Sequence, residues 1–285
     1  KCIMDNKRQG GISITEVYHD LSKHFRFENE IKWTNAILIV LYHVIGVYWC
    51  YYFAFPAKWQ TIVFALIMYV VSGFGITGGA HRLWTHKSYK ATLPLKIFLL
   101  LCFSTAGQNS LVHWVRDHRV HHKYSDTDAD PHNAKRGLFF SHIGWLMMKK
   151  NPEVILRGKQ MDMSDILKAP FGFSSLSKGL CSCNFKTLNF RNIIPAENRF
   201  VALCTLGEGW HNYHHVFPFD YKAAEHFDTF NFATKFINFF EKIGWAYDLK
   251  EATPEMINSV ANRLGDGTPV HFPLPVNIED FRKTG

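Results

Sequence analysis

The 285 residues of the chain suffice for a sizeable buried core in one or two domains, and 47% of them are hydrophobic. The formal net charge of +8 accompanies long apolar runs, so it indicates attraction to an anionic membrane face or an anionic substrate. No RNP-like, zinc-finger or helix-turn-helix pattern is present, which argues against nucleic acid as a partner. The six cysteines form no disulfide framework, and we therefore expect the catalytic region to face a reducing compartment.

Two uncharged apolar runs follow a polar, basic N-terminal segment, residues 1–35. The runs cover 36–55 and 60–80, and each has the roughly 20 residues that one membrane-spanning helix requires. Together they predict a transmembrane hairpin over 36–80; a pair of buried core helices is the alternative. Basic residues before the first run and after the second predict that both ends face the cytosol. These residues are Lys7, Arg8, Lys23, Arg26, Lys32, Arg82, Lys87 and Lys90.

Residues 81–250 are predicted to form a cytosolic helical cap. Within it, 94–114 is apolar early and polar late, so we expect it to pack under the second histidine motif described below. The short amphipathic run 137–148 is predicted to lie on the membrane surface. An aromatic-rich amphipathic helix is predicted over 223–243. The C-terminal tail covers 251–285, and the chain after Thr253 is predicted to be loop-like because it contains several prolines.

Half of the 16 histidines lie in three short boxes, HRLWTH, HRVHH and HNYHH. On a helix, positions i, i+3 and i+4 share one face, so each HxxHH box directs its imidazoles into one space. Imidazole is a good ligand for iron, copper, zinc and nickel, and the lack of clustered thiolates argues against a structural zinc site. Eight imidazoles exceed what one metal uses and indicate a pair of metals. They are His81, His86, His118, His121, His122, His211, His214 and His215.

Two alternatives to a metal pair are weaker. The histidines could be ordinary core or surface residues. A single HxxHH box would be compatible with that reading, but two copies of it together with an HxxxxH box argue against it. A hydrolytic zinc site would need fewer histidines and usually a nearby carboxylate base.

Three long stretches around the boxes carry a resemblance to a known family: GITGGAHRLWTHKSYKA, QNSLVHWVRDHRVHHKYSDTDADPHNAKRGLFFSHIGWLMMKK and PAENRFVALCTLGEGWHNYHHVFPFDY. The chain resembles the membrane acyl-CoA desaturases of the stearoyl type, especially insect-like members, over nearly all of 30–165 and 192–250. The resemblance implies four transmembrane helices that carry a cytosolic cap in the endoplasmic reticulum. It also implies a di-iron centre that uses O2 and electrons from cytochrome b5 to place a cis double bond in a saturated fatty acyl-CoA.

The chemistry of the residues agrees with this resemblance. Breaking an unactivated C–H bond is beyond side-chain acids and bases, so a redox metal must carry it. Charged residues near the boxes can orient ligand histidines through hydrogen bonds, although plain solvated charge is the alternative for each. These candidates are Arg116, Asp117, Asp128, Asp130 and Glu208.

The resemblance also assigns residues to the substrate. Gln108 and Trp114 are implied to line the bend of an acyl tunnel, and Tyr69 and Gly73 to close its end. Six further positions match those that hold the CoA head group. For two of them, Lys149 and Lys150, the alternative is a lysine that lies at the membrane surface. The six positions are Asn35, Asn109, Arg116, Asp117, Lys149 and Lys150.

The chain departs from the family between the second and third boxes. The family has two more membrane helices there and an NSAAH-like segment that supplies a ninth histidine and a water-linked asparagine. Here 167–194 fills the interval, without an uncharged run near the roughly 20 residues of one span. No histidine occurs between His142 and His211. We therefore expect the third and fourth helices and one ligand to be missing, and the activity to be impaired.

The sequence thus predicts an all-α integral membrane protein, a helical hairpin with a helical cap that carries a di-metal site. The leading functional hypothesis is an acyl-CoA desaturase, either a truncated form or one with a misassigned exon. A second hypothesis is a catalytically dead paralogue or splice form that retains membrane insertion. A related histidine-box hydroxylase is the third, although RDHRVHH and GEGWHNYHH fit acyl-CoA desaturases better.

Overall fold

The computed structural model describes residues 29–53, 57–167, 199–224 and 230–264. The anomalous interval 167–194 lies outside the described residues except for Leu167. The helices are α1 (Trp33–Phe53), α2 (Trp59–Phe74), α3 (Leu93–Thr105), α4 (Leu111–Lys123), α5 (Trp145–Met147), α6 (Pro152–Lys159), α7 (Ser164–Leu167), α8 (Arg199–Cys204), α9 (His211–Val216), α10 (Phe232–Lys242) and α11 (Pro254–Leu264). Two short strands are β1 (Lys90–Ala91) and β2 (Ala246–Tyr247), and π-helical segments cover Gly75–Thr85 and Phe140–Gly144.

The chain divides into two compact units. Among described residues, the first contains 29–53, 57–64 and 116–163, and the second contains 65–115, 164–167, 199–224 and 230–264. Helix dominates both units, as the all-α prediction requires, and the two strands form a single antiparallel ribbon in the second unit.

In the first unit, the start of α1 is attached to the chain around α5. Asn35 Nδ2 donates a hydrogen bond to the carbonyl oxygen of Leu146 at 3.1 Å. The backbone N–H of Lys32 donates to Met147 O at 2.7 Å, and an isolated antiparallel bridge joins Ile31 to Met148. These contacts hold the base of an otherwise exposed apolar helix.

Within the described part of the chain, two helical stretches are long and apolar enough to cross a membrane. They cover Trp33–Tyr52 and Trp59–Thr85, with mean hydropathies of 1.4 and 1.9, and they contain most of the two predicted runs. The side chains of α1 are mostly exposed, including Val47 at 70%, as expected for a helix surrounded by lipid. The hairpin and its cytosolic ends remain predictions.

In the second unit, α2 continues into the π-helical segment Gly75–Thr85, which packs on α3. Gly75 makes the approach possible, because a Cβ at this position would lie 2.1 Å from the backbone nitrogen of Phe103. The ribbon pairs Lys90 with Tyr247 and Ala91 with Ala246, and so joins the start of α3 to the chain beyond α10.

A small core packs α9 against α11. It contains Trp210, Tyr213, Phe217, Ala224, Ala252 and Ile257. The hydroxyl of Tyr213 donates to Asp220 Oδ2 at 2.7 Å, and this buried carboxylate also accepts from the backbone N–H of Ala252 at 3.0 Å. The core therefore fixes the helix that carries the third histidine box.

The prediction of a loop after residue 253 is wrong over Pro254–Leu264, which is helical. Thr253 Oγ1 accepts from the backbone N–H of Met256 at 3.3 Å, and Pro254 occupies the first helical position, where a missing N–H has no cost. Proline here starts a helix. Of the helix predicted over 223–243, the structure contains α10, Phe232–Lys242, and Asn231 caps its start by accepting a hydrogen bond from the backbone N–H of Thr234 at 3.1 Å.

Gly75→Ala should strongly destabilise the protein, because the new methyl group would meet backbone atoms that cannot rotate away. Overpacking usually costs about 1–3 kcal/mol, and we expect the upper end of that range. Gly46→Ala in α1 is the matched control, since nothing lies within 4 Å of its added Cβ. The measurement is the unfolding temperature in detergent; equal values for the two variants would contradict the packing described.

Candidate metal centre

The first histidine box lies on the π-helical segment Gly75–Thr85 and at its end. In this geometry the backbone N–H of His86 donates to the carbonyl oxygen of His81 at 3.1 Å, five residues back. The five-residue spacing of HxxxxH therefore matches the helix that carries it, and the two rings lie 4.8 Å apart, centre to centre. π-Helical turns are frequent at functional sites.

The third box joins the first within the same unit. Nε2 of His81 lies 2.8 Å from Nε2 of His214, and both residues are buried. One ring nitrogen of each of His81, His86 and His214 lies within 4.8 Å of the others. His211 and His215, on the same helix as His214, have ring centres 4.0 Å apart. Residues separated by about 130 positions in sequence thus direct imidazoles to one point.

A largely buried carboxylate orients His81. Glu208 Oε2 lies 2.9 Å from Nδ1 of His81, and Glu208 Oε1 accepts from Nε and Nη2 of Arg82 at 3.0 and 2.9 Å. Burial alone would raise the pKa of the Glu208 carboxyl, but the Arg82 guanidinium and His81 outweigh it and lower the pKa to about 2. An ionised Glu208 accepts a hydrogen bond from Nδ1–H of His81, which leaves the lone pair of Nε2 directed at His214.

Arg82 is a residue whose role the sequence prediction missed. It was counted among the basic residues that flank the second apolar run, but it is only 1% exposed. Besides Glu208, it donates to the carbonyl oxygen of Tyr221 at 2.8 Å, to Thr234 Oγ1 at 2.9 Å and to Asn231 Oδ1 at 3.4 Å. No local pattern distinguishes this arginine from a membrane-flanking one, because its partners lie more than 120 residues away.

The second box lies in the other unit, near the end of α4. His118 and His122 are one turn apart, and their Nε2 atoms are 3.2 Å apart. His121, one residue earlier in that turn, is buried, and its Nδ1 lies 2.8 Å from Asp130 Oδ1. Burial would raise the pKa of Asp130, but His121 and the backbone N–H groups of Asp126 and His132 lower it overall.

Both units therefore contain a candidate ligand histidine whose Nδ1 contacts a carboxylate. A carboxylate on the far nitrogen is the usual partner of a metal-ligating histidine. The 2.8 Å separation of the two Nε2 atoms fits as well. Two adjacent ligands, each about 2.1 Å from one ion, lie roughly 3 Å apart. The residues present thus fit a transition metal bound by imidazoles.

The predicted tunnel residues lie in the second unit. The hydroxyl of Tyr69 donates to the carbonyl oxygen of Cys204, and the side chain of Leu206 faces Gly73. Nε1 of Trp114 donates to Gln108 Oε1 at 3.0 Å. The ring centre of Trp114 lies 6.2 Å from that of His81, so this pair adjoins the histidines.

Five of the six predicted CoA residues lie in the first unit. Asp117 pairs with both Arg116, at 3.0 Å, and Lys150. Lys149 pairs with Glu30 at 2.7 Å, and Asn35 holds the backbone of Leu146. Asn109 belongs to the second unit, where its φ is 71° and its Oδ1 accepts from the N–H of Ser110.

A small cleft opens in the first unit beside these lysines. Asp128, predicted to orient a ligand histidine, lies on the wall of the cleft and is exposed. Asp130 lines the same cleft but is only 3% exposed. His132, which the sequence prediction also missed, packs its ring 4.3 Å from that of Trp145 and 5.5 Å from that of His121.

Comparison with known proteins identifies close relatives. Residues 57–175 match the family model described as fatty acid desaturase. The chain is 45% identical to the acyl-CoA Delta(11) desaturase of Choristoneura rosaceana, over 85% of this chain and 86% of the relative. It is 44% identical to the acyl-CoA Delta-9 desaturase of Acheta domesticus, over 85% and 81%, and 39% identical to stearoyl-CoA desaturase 5 of Bos taurus, over 84% and 85%.

The alignment with the Choristoneura rosaceana desaturase contains gaps in this chain. It extends over 289 positions, although only 85% of the 285 residues take part. The relative therefore has several dozen residues that face gaps in this chain. Two membrane helices of about 20 residues each would account for a difference of that size.

Glu208→Gln should weaken metal binding roughly 10- to 100-fold, because the neutral amide no longer fixes the proton on His81 Nδ1. Glu255→Gln, at an exposed position of α11, is the matched control and should bind as the unmodified chain does. The measurement is the iron that the purified chain retains against a series of chelator concentrations. Equal retention by Glu208→Gln and the control would remove Glu208 from the site.

Asp130→Asn should have a similar effect on the second box, whereas Asp128→Asn should have none. The two aspartates are two residues apart, but only Asp130 is buried and bonded to His121. We expect a loss of metal affinity of roughly 10- to 100-fold for Asp130→Asn alone. If Asp128→Asn lowered affinity as much, the cleft as a whole, rather than one carboxylate, would control the histidines.

Proposed function

Because the chain belongs to the membrane acyl-CoA desaturases, we propose that it introduces a cis double bond into a saturated fatty acyl-CoA. The observation that carries the proposal is the buried array in which Arg82 and Glu208 orient His81 toward His214. In the reaction, two C–H bonds of neighbouring methylenes break and a C=C bond forms. One O2, two electrons and two protons are consumed for each double bond, and two waters are released.

We propose that the eight box histidines hold two irons. When bound, the irons would supply the O2 reduction and C–H cleavage that no side chain provides. The chain contributes the orientation of the ligands. Glu208 keeps a proton on Nδ1 of His81, and Asp130 does the same for His121, so that each Nε2 would present its lone pair to a metal. We therefore also propose that the imidazoles of the second box converge with those of the first and third boxes.

The proposed substrate path uses the predicted tunnel residues and the predicted CoA residues. Trp114 and Gln108, joined by their hydrogen bond, would bend the acyl chain beside the histidines, and Tyr69 and Gly73 would close the far end. The CoA phosphates would be held by basic side chains near Asp117. Asp117 pairs with Arg116 and Lys150 and so keeps both cations in fixed positions.

The chain is a membrane protein by family and by its two apolar helical stretches. We propose that it is a multi-pass protein of the endoplasmic reticulum with its histidines on the cytosolic side, where the basic flanks are predicted to lie. Cytochrome b5 is the proposed electron donor, since the reaction needs two electrons that neither substrate supplies. Membrane lipid is the proposed surrounding of α1.

A form with low activity is the second candidate for this exact chain. It is favoured by the residues of the relative that face gaps and by the absence from 167–194 of any apolar run of spanning length. Without two tunnel walls, water would reach the site, and one metal would lack a ligand. No observation favours the hydroxylase over the desaturase.

Residues 1–285 should yield little or no unsaturated fatty acid in a yeast strain that lacks its own desaturase. A chain in which a helix pair ending in NSAAH is inserted into 167–194 should restore desaturation, and His214→Ala in that chain should abolish it. Gas chromatography with mass spectrometry measures the products. Clear activity of the unmodified chain would show that 167–194, His113 or His142 fills the gap.

Failure of the restored chain, with iron bound and protein stable, would contradict the desaturase assignment. Hydroxylated acyl chains as the main product would show that the chain is a hydroxylase rather than a desaturase.

A further inference from the structure

Helix α3 is apolar on nearly its whole circumference. One side packs in the core through Leu95, Leu99, Leu100, Cys102 and Phe103. The opposite side leaves Ile97, Phe98 and Leu101 exposed at 43%, 42% and 51%. A surface helix in water carries polar residues on that side, and a helix without them is expected to contact lipid or protein.

The chain around α10 extends this exposed side. Phe239 is 57% exposed, Ile243 48% and Trp245 39%. The backbone N–H of Thr92, just before α3, donates to the carbonyl oxygen of Trp245 at 2.9 Å, and the β1–β2 ribbon continues this contact. The rings of Phe98 and Phe240 also lie 6.0 Å apart, centre to centre, so α3 and α10 adjoin here. We call the six exposed side chains of these adjoining elements the apolar face: Ile97, Phe98, Leu101, Phe239, Ile243 and Trp245.

The apolar face is continuous with the end of the membrane span. Phe74, the last residue of α2, stacks on Phe236 of α10 with ring centres 4.4 Å apart. Phe236 in turn lies 4.8 Å from Phe240 and 6.4 Å from Phe98, and Phe240 stacks on Trp245 at 5.7 Å. An unbroken row of rings thus leads from an apolar span into the exposed face.

The charges around the face suit an anionic lipid surface. Lys235 and Lys242 lie on α10, four residues before and three after Phe239, so they share its side of the helix. Lys96 is the only charged residue of α3. Aromatic and aliphatic side chains bordered by lysines are typical of helices that lie in the membrane interface, and tryptophan is enriched there.

We propose that the apolar face is a membrane-interface surface, in which α3 and the end of α10 lie in the plane of the bilayer at the boundary of headgroups and acyl chains. With 13 residues, α3 is too short for the roughly 20 that a span requires, so it lies along the membrane. Its continuity with Phe74 favours lipid over a soluble partner, because the row of rings starts where the span ends. Lys235 and Lys242 would contact anionic headgroups.

The test places the photoreactive residue p-benzoylphenylalanine at single positions of the full chain in vesicles of phosphatidylcholine and phosphatidylserine. The positions are 101 and 239 in the apolar face and, as a control, the exposed position 255 on α11 of the same unit. After illumination, mass spectrometry identifies the adducts. We expect roughly tenfold more lipid adduct at 101 and 239 than at 255. Positions 97 and 243 replace any variant that is not monodisperse in detergent.

The lysine contribution is tested with Lys242→Glu in the variant labelled at 239. The ratio of phosphatidylserine to phosphatidylcholine adducts should fall, by up to roughly fivefold, whereas Lys250→Glu should leave it unchanged. Peptide adducts within the chain at 101 and 239 would overturn the proposal, because another segment would then cover the face. Adducts between two copies, or no adduct beyond the level at 255, would overturn it as well.

Discussion

A buried negative charge organises the second unit. Glu208 is ionised in a largely buried position, and such a charge is tolerated only where opposite charge and hydrogen bonds surround it. Arg82 supplies the opposite charge and is itself almost completely buried, so its remaining N–H groups also need acceptors. They find Tyr221, Thr234 and Asn231, on segments that are distant in sequence. Orienting one imidazole thus determines how the π-helical segment, the chain after α9 and the start of α10 meet.

One continuous helical stretch connects the second apolar run to His81, a proposed metal ligand. α2 ends at Phe74, and the π-helical segment that follows carries His81 only seven residues later. Phe74 contacts the aromatic row on α10, while the next turns contact α3 and the buried charge. This short connection explains why the glycine at position 75 approaches the backbone of α3 so closely. An enzyme acting on acyl chains benefits from ligands placed near the edge of the bilayer, where such chains are dissolved.

Much of this arrangement could be predicted from sequence, and the reasons for the rest are physical. Hydropathy found both long apolar stretches, because burial in lipid is an average over about 20 residues. The HxxHH spacing found the shared face of His118 and His122, because α4 is a regular helix there. The π-helical register of His81 and His86 gives no such periodic signal. The role of Arg82 depends on hydrogen-bond acceptors that only the tertiary structure brings together. A proline such as Pro254 can either break or start a helix, and only the contact of Thr253 with Met256 shows that it starts one.

The most direct measurement of the central claim is iron K-edge X-ray absorption of the full chain loaded with iron in detergent. If Glu208 and Arg82 orient imidazoles toward metal, the spectrum will contain a nitrogen shell at about 2.1 Å together with the outer scattering of several imidazole rings. His81→Ala will lower that ring scattering. A spectrum with only an oxygen shell, as expected for loosely bound hydrated iron, would contradict the account if the His81→Ala spectrum were identical to it.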